Sequence, residues 1–175
     1  MSYSALQIAN AFLSLGERDR ISVTNMKLQK LLYFAQGHWH SLRGKRLIRE
    51  DAEAWQYGPV YHSVWQEFRR FGARPIESLA TEHVGMITED GEFEDMGSEP
   101  IEPPDDPAVI KFIDAVWNAY KNKDAIQLSN MSHASNGPWD VTRKNHPMAR
   151  NAIIPDSLIA EYFKSLSEQA AAKSA

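Results

Sequence analysis

The chain contains no cysteine. Disulfides, thiolate nucleophiles and thiolate metal sites are therefore excluded, and the composition suits a reducing compartment such as the cytoplasm. Long apolar runs are also missing: nothing approaches the ~18 consecutive residues that a membrane helix needs. The opening stretch MSYSALQIANAFLSLGERDR has neither an early basic region nor an unbroken apolar run, so it reads as a folded helix and not as a signal peptide. Neither GxGxxG nor a GxxxxGK phosphate loop occurs, and there is no HExxH. His38 and His40 are two apart and point in different directions on a helix, while His62, His83, His133 and His146 are scattered. Ser129, Ser132 and His133 lie within one or two helical turns, without the strand-turn-helix setting that exposes a catalytic serine. The expectation is a protein with no catalytic site, cofactor or metal.

The formal net charge of −4 hides an asymmetry. Residues 81–106 contain ten acids and neither Lys nor Arg. The remainder holds 19 basic against 13 acidic residues, a balance of +6. Two basic clusters stand out, Arg43, Lys45, Arg46 and Arg49, then Arg69, Arg70 and Arg74. The first of these is suited to phosphate contacts. With the whole chain acidic, at a pI near 5.9, nucleic-acid binding stays a minor alternative to a solvated loop salt-bridged to the acidic segment.

At 175 residues, one domain is the default. Apolar spacing predicts a first helix from about Ser4 to Leu15, ending before Gly16, and a second starting after a Thr24 cap and ending between His40 and Arg43. A third runs from Val60 to Phe71, stopped by Gly72 and Pro75. Asp106-Pro107 opens a fourth, and residues 124–133 form a short fifth, before a turn at Asn136-Gly137-Pro138. A last helix follows Asp156 or Ser157 and buries Leu158, Ile159, Tyr162 and Phe163. Asp90-Gly91 between short mixed runs signals a tight hairpin turn within the acidic segment, with an unstructured loop as its rival. The expected fold is mainly α. It is a single compact domain (1–166) of about five or six helices around a buried central helix at 25–41, with a small β-hairpin or extended ledge and a frayed tail at 167–175.

The second helix, KLQKLLYFAQGHWH, carries an apolar stripe of Leu28, Leu31, Leu32, Ala35 and Trp39. Gln29, Tyr33, Gln36 and His40 form an adjoining polar-aromatic stripe. A buried amide left unpaired costs ~1–3 kcal/mol, so these glutamines need partners. The irregular stretch Trp55, Tyr57, Gly58 and Pro59 offers free backbone groups for them, making the glutamines internal fasteners. The competing reading is a ligand pocket formed by Gln36, His40, Tyr57 and His133. Among the five Trp and six Tyr residues, Trp39, Trp65 and Trp117 suit the core, whereas Trp55, Tyr57, Tyr61 and Trp139 suit a rim or groove that meets a partner.

Taken together, MKLQKLLYFAQGHW, EAWQYGPVYHSVWQEFRRFG and LSNMSHASNGPW resemble the three signature blocks of the Panacea domain. This is the SocA-like antitoxin domain, also found in phage-associated GepA-like proteins. The resemblance runs from about Ser4 to Phe163, with Ser132-His133 standing where Thr-His is more familiar. It implies an antitoxin that neutralises a cognate toxin encoded by a neighbouring gene through direct binding, in some relatives as an adaptor to a ClpXP-type protease. The signature positions it carries over are Lys27, Leu28, Lys30, Leu31, Tyr33, Gln36, Trp55, Tyr57, Gly58, Pro59, Val60, His133 and Trp139. Tyr61, Arg43, Arg46 and Arg49 are expected on a partner-binding rim. No catalytic role is implied for any of them.

Overall fold

A computed structural model describes residues 2–174; Met1 and Ala175, the two ends of the expected domain and tail, lie outside the described residues. Helix α1 (Ala5–Asp19) starts at a capping box in which Ser4 and Gln7 satisfy each other's backbone amides. It continues one turn beyond the expected stop. Gly16 is tolerated inside the helix because the chain doubles back over it, and a Cβ there would meet the Ile21 carbonyl at 2.9 Å. The turn is then made by Arg20, held at φ 57°.

Helix α2 (Asn25–Arg43) is capped by the Thr24 side chain and ends where Gly44 adopts φ 64°. Every residue from Lys27 to Gly37 is buried. A helix apolar on so many sides must be surrounded, and α2 packs against almost every other helix of the described chain. Strands β1 (Glu53–Trp55) and β2 (Gly58–Val60) pair antiparallel across a two-residue turn, forming the expected ledge. Val60 therefore belongs to a strand. Helix α3 (His62–Phe68) begins after it, and a single 3-10 turn (Arg69–Phe71) completes what the spacing suggested as one helix.

The acidic segment is a hairpin: β3 (Thr81–Ile87) and β4 (Phe93–Pro100), turning at Asp90-Gly91. Helix α4 (Pro107–Tyr120) opens with the Asp106 cap and a first-turn proline. Helix α5 (Ala125–Ser132) opens with a second capping box, Asp124 with Gln127. Pro138 was expected only in a turn, but it starts a further helix, α6 (Pro138–Asn145), as proline can at a first helical position. Helix α7 (Asp156–Lys173) has no side-chain cap, because the capping position is Pro155 and not Asp156 or Ser157 as expected; Asp156 is the first helical residue and turns toward α2. The end of the chain is helical and exposed as far as Lys173.

The architecture is mainly α, with seven α-helices among the described residues and two small antiparallel hairpins. Its core joins Ile8 and Phe12 of α1, the inner residues of α2, Phe68, Trp117 and Phe163. The approach of α7 to α2 depends on Gly37, where a side chain would collide with the Phe163 ring. No helix of the described residues is long and apolar enough to cross a membrane.

Candidate functional site

The ledge is too short to satisfy its own backbone, so its polar groups must be paired from outside. Side chains from α2, α5 and α6 do this. Lys30 Nζ donates to the Pro59 carbonyl at 3.1 Å, and Gln29 Oε1 accepts from the Tyr61 amide at 2.8 Å. Ser129 Oγ donates to the Tyr57 carbonyl at 2.8 Å, and Trp139 Nε1 to the Trp55 carbonyl at 2.7 Å. Arg143 reaches the Ala54 carbonyl at 3.4 Å and the Ala149 carbonyl at 2.9 Å. The ledge is also braced by Ala54 N–H donating to Ala152 O and Ile154 N–H donating to Ala52 O. The three sequence blocks thus meet at one place, the first and third supplying fasteners to the turn that the second forms.

Gly58 lies where these groups converge. Its φ of 111° suits glycine alone, and a Cβ there would meet Lys30 Cε at 2.6 Å and Ser132 Oγ at 2.8 Å. Lys30 is 1% exposed, and burial without a carboxylate partner pushes its ammonium down to about 7. His133 stacks on Trp139 with ring centroids 3.9 Å apart. Burial, and then the nearby Lys30 charge, lower the pKa of its imidazole, and its Nε2 is buried without a hydrogen-bond partner. Ser132 Oγ donates back to the Ser129 carbonyl at 2.7 Å, which occupies the hydroxyl within α5.

Outward, the turn displays aromatic surface. Tyr57 is 66% exposed at the tip. Trp55 packs on Trp65 (centroids 5.0 Å apart) and next to His62, while its Nε1 donates to Glu53 at 2.6 Å. Arg69 lies over the Trp65 ring at 5.8 Å. Tyr57 is thus the exposed residue of the outer face, with Trp55 and Trp65 half-buried beside it, so Trp65 is not the core residue expected; Trp139, expected at the rim, is half-buried and packed against the core. Tyr61 does not belong to the rim. It is 1% exposed, because its position after β2 turns the ring into the core, where burial pushes the phenol pKa up.

The other expected site residues divide among structural tasks. Leu28 and Leu31 are core, and Tyr33 packs edge-on against Phe34 and Phe163. Pro59 and Val60 are buried in β2. Lys27 donates to the Lys121 carbonyl at 2.6 Å, with its Nζ 5.7 Å from the centroid of the Trp117 ring. Gln36 is a fastener of a different stretch. Its Oε1 accepts from the amides of Leu47 and Ile48 at 3.0 and 2.9 Å, and its Nε2 donates to Asp156 at 2.9 Å.

The pocket combining Gln36, His40, Tyr57 and His133 is not assembled. Gln36 and His40 both bind Asp156, His40 at 2.7 Å. On α2 they stand six and ten residues beyond Lys30, or ~9–15 Å along the axis from the level of the ledge. The open grooves between Leu13–Val23 and Pro75–Leu79, and between Ser22–Lys27 and Lys121–Ile126, contain none of the four.

The first basic cluster is partly spent as well. Arg46 clips the Glu50 carbonyl at 3.1 Å and pairs with Asp51 and Asp156. Arg43 lies over the Trp39 ring at 5.4 Å, and Arg49 is exposed. Among the described residues, no ion pair joins either basic cluster to the acidic hairpin, whose charges stay in solvent.

Sequence spacing identified Gln29 as a fastener, but it did not reveal Ser129 or Arg143, which are 72 and 89 residues from their ledge partners. Neither carries a local signal. Their side chains look like ordinary polar helix residues until the chain is folded.

Comparison with known proteins places this arrangement. The family described as antitoxin SocA-like, Panacea domain, matches residues 28–140, a span that includes the whole ledge and most of its fasteners. The antitoxin SocA of Caulobacter vibrioides (strain NA1000 / CB15N) is 34% identical over 171 residues, covering 93% of this chain and 84% of that protein. No solved structure matches. The chain belongs to the antitoxin SocA-like family defined by the Panacea domain.

Proposed function

We propose that this protein is a non-enzymatic antitoxin, which neutralises a cognate toxin by binding it directly through the aromatic face of the fastened ledge. Its family membership supports an antitoxin role, and the observation that carries the binding mode is the fastening itself. Side chains from α2, α5 and α6 lock a tight turn that exposes Tyr57, with the half-buried Trp55 and the Trp65 of α3 beside it. A rigid aromatic surface loses little entropy on association, and Trp and Tyr dominate interface hot spots. Ser129 and Ser132, the hydroxyls that suggested nucleophilic chemistry, are engaged with backbone carbonyls.

Once held, the toxin is masked or is handed to a ClpXP-type protease. The test is to express the product of the adjacent gene alone, with this protein, and with the Tyr57→Ala variant. Growth arrest by the neighbour, relief by the wild type and weakened relief by the variant are the expected results. A harmless neighbour that does not co-purify with this protein would remove the reading. A toxin half-life that shortens only when both this protein and the protease are present assigns the delivery route.

A further inference from the structure

The β3–β4 hairpin has no place in the ledge, yet it is the most unusual surface of the molecule. A two-stranded hairpin standing alone in water is marginally stable at best. This one is held at its root. Asn10, fully buried in α1, donates from Nδ2 to the carbonyls of Ala80 and Ile101 at 2.9 and 2.8 Å, and accepts from the Ala80 amide at 2.8 Å. Beyond this clamp, among the described residues, the strands pair only with each other, and every residue of them except the half-buried Val84 is exposed.

Two properties of this arm point to a partner. Met86, Ile87, Phe93 and Met96 are all more than half exposed, far more apolar surface than a solvated hairpin requires. Ile87 and Phe93 face each other across the strands near the tip. Thr81–Pro100 also contains seven acids and neither Lys nor Arg. The register sets Glu82 directly opposite Glu99, with Glu94 opposite Met86 on the same face. Like charges set opposite each other destabilise a strand pair, and a cationic partner relieves that repulsion. The same charge disfavours pairing between the arms of two copies, although both outer strand edges are free and lack the Lys residues that often protect such edges.

We propose that the arm Thr81–Pro100 is a docking arm for a basic protein surface that holds it on both faces, an apolar groove receiving Ile87 and Phe93 on one and Lys or Arg meeting Glu82, Glu94 and Glu99 on the other. This rests on the antitoxin reading and adds a second contact to the ledge: the part of the toxin that the arm meets carries positive charge. The apolar tip supplies the affinity, and the acids accelerate and orient the encounter.

The experiment is calorimetry and stopped-flow binding with the purified product of the adjacent gene, at about 50 and about 300 mM salt, between which the Debye length falls from about 14 to about 6 Å. The wild type is compared with an Ile87→Ser/Phe93→Ser double variant and a Glu82→Gln/Glu94→Gln/Glu99→Gln triple variant. Unchanged thermal unfolding shows that the core is intact. The apolar variant is expected to bind about 100-fold more weakly. The charge variant is expected to associate about tenfold more slowly at low salt and to lose most of its salt dependence. Wild-type affinity and salt dependence in both variants would overturn the arm while leaving the antitoxin reading standing. Failure of the wild type itself to bind would overturn the antitoxin reading and the arm with it. A dimer seen by light scattering, abolished by the apolar variant and indifferent to the toxin, would overturn the assignment in favour of a second copy.

Discussion

Replacing Lys30 by methionine tests the energetics of the ledge directly. The ammonium is buried against the Pro59 carbonyl with no carboxylate partner, and its pKa falls from 10.5 to about 7. In the unfolded chain the group stays near its ordinary value, so between those two limits the unfolded state binds more protons than the folded one. Stability therefore rises with pH from about 7 to about 10.5, while below about 7 the penalty is fully present and flat. At ~1.36 kcal/mol per unit, the protonated form carries a penalty of about 5 kcal/mol. Lys30→Met removes that penalty but leaves the Pro59 carbonyl without its donor, at a cost of ~1–3 kcal/mol. The variant should be the more stable protein at pH 6, by about 2–4 kcal/mol, and the less stable one above roughly pH 10. Urea unfolding followed by tryptophan fluorescence at several pH values checks this. The difference between the two proteins should change by ~1.4 kcal/mol per pH unit between about 7.5 and 10, other titrating groups cancelling. A difference that stays constant to within about 0.3 kcal/mol across that range would show that Lys30 titrates normally and would refute the reasoning.

Two further predictions concern how the elements are held. Gly37→Ala should gain ~1 kcal/mol of helix propensity. It nonetheless drives a methyl into the Phe163 ring, so thermal melting should show net destabilisation of about 1–2 kcal/mol, with a lower Tm. Asn10→Ala strips the buried clamp from the hairpin root, and should cost about 2–4 kcal/mol in chemical unfolding. Hydrogen exchange should speed up at Ala80 and Ile101 and along the hairpin before it does so in α2.

The elements most legible in the sequence were those whose signal is local. Thr24, Gly44, Asp106-Pro107, Asp124 and Asp90-Gly91 each act on backbone within a few residues, and each punctuates the chain where the sequence placed it. The buried centrality of α2 was legible too, because apolar residues around most of its circumference can be covered only by several neighbours. Boundaries failed where a breaker residue had a second option that its own letters do not reveal. Gly16 stays helical because Ile21 and Val23 close over it, and Pro138 opens α6 where a turn alone was expected.

The sequence by itself determined the mainly helical class, the buried striped helix, the acidic hairpin and the family blocks, because periodicity and turn chemistry are properties of neighbouring residues. Only the tertiary structure decided what the polar side chains hold. It sent Gln29 and Lys30 to the ledge, Gln36 to Leu47 and Ile48, and Asp156 to α2. It also turned Tyr61 inward and left Tyr57 outside. The physical reason is that a buried hydrogen bond is selected by which donor and acceptor the folded backbone brings within ~3 Å, and no local pattern encodes that meeting.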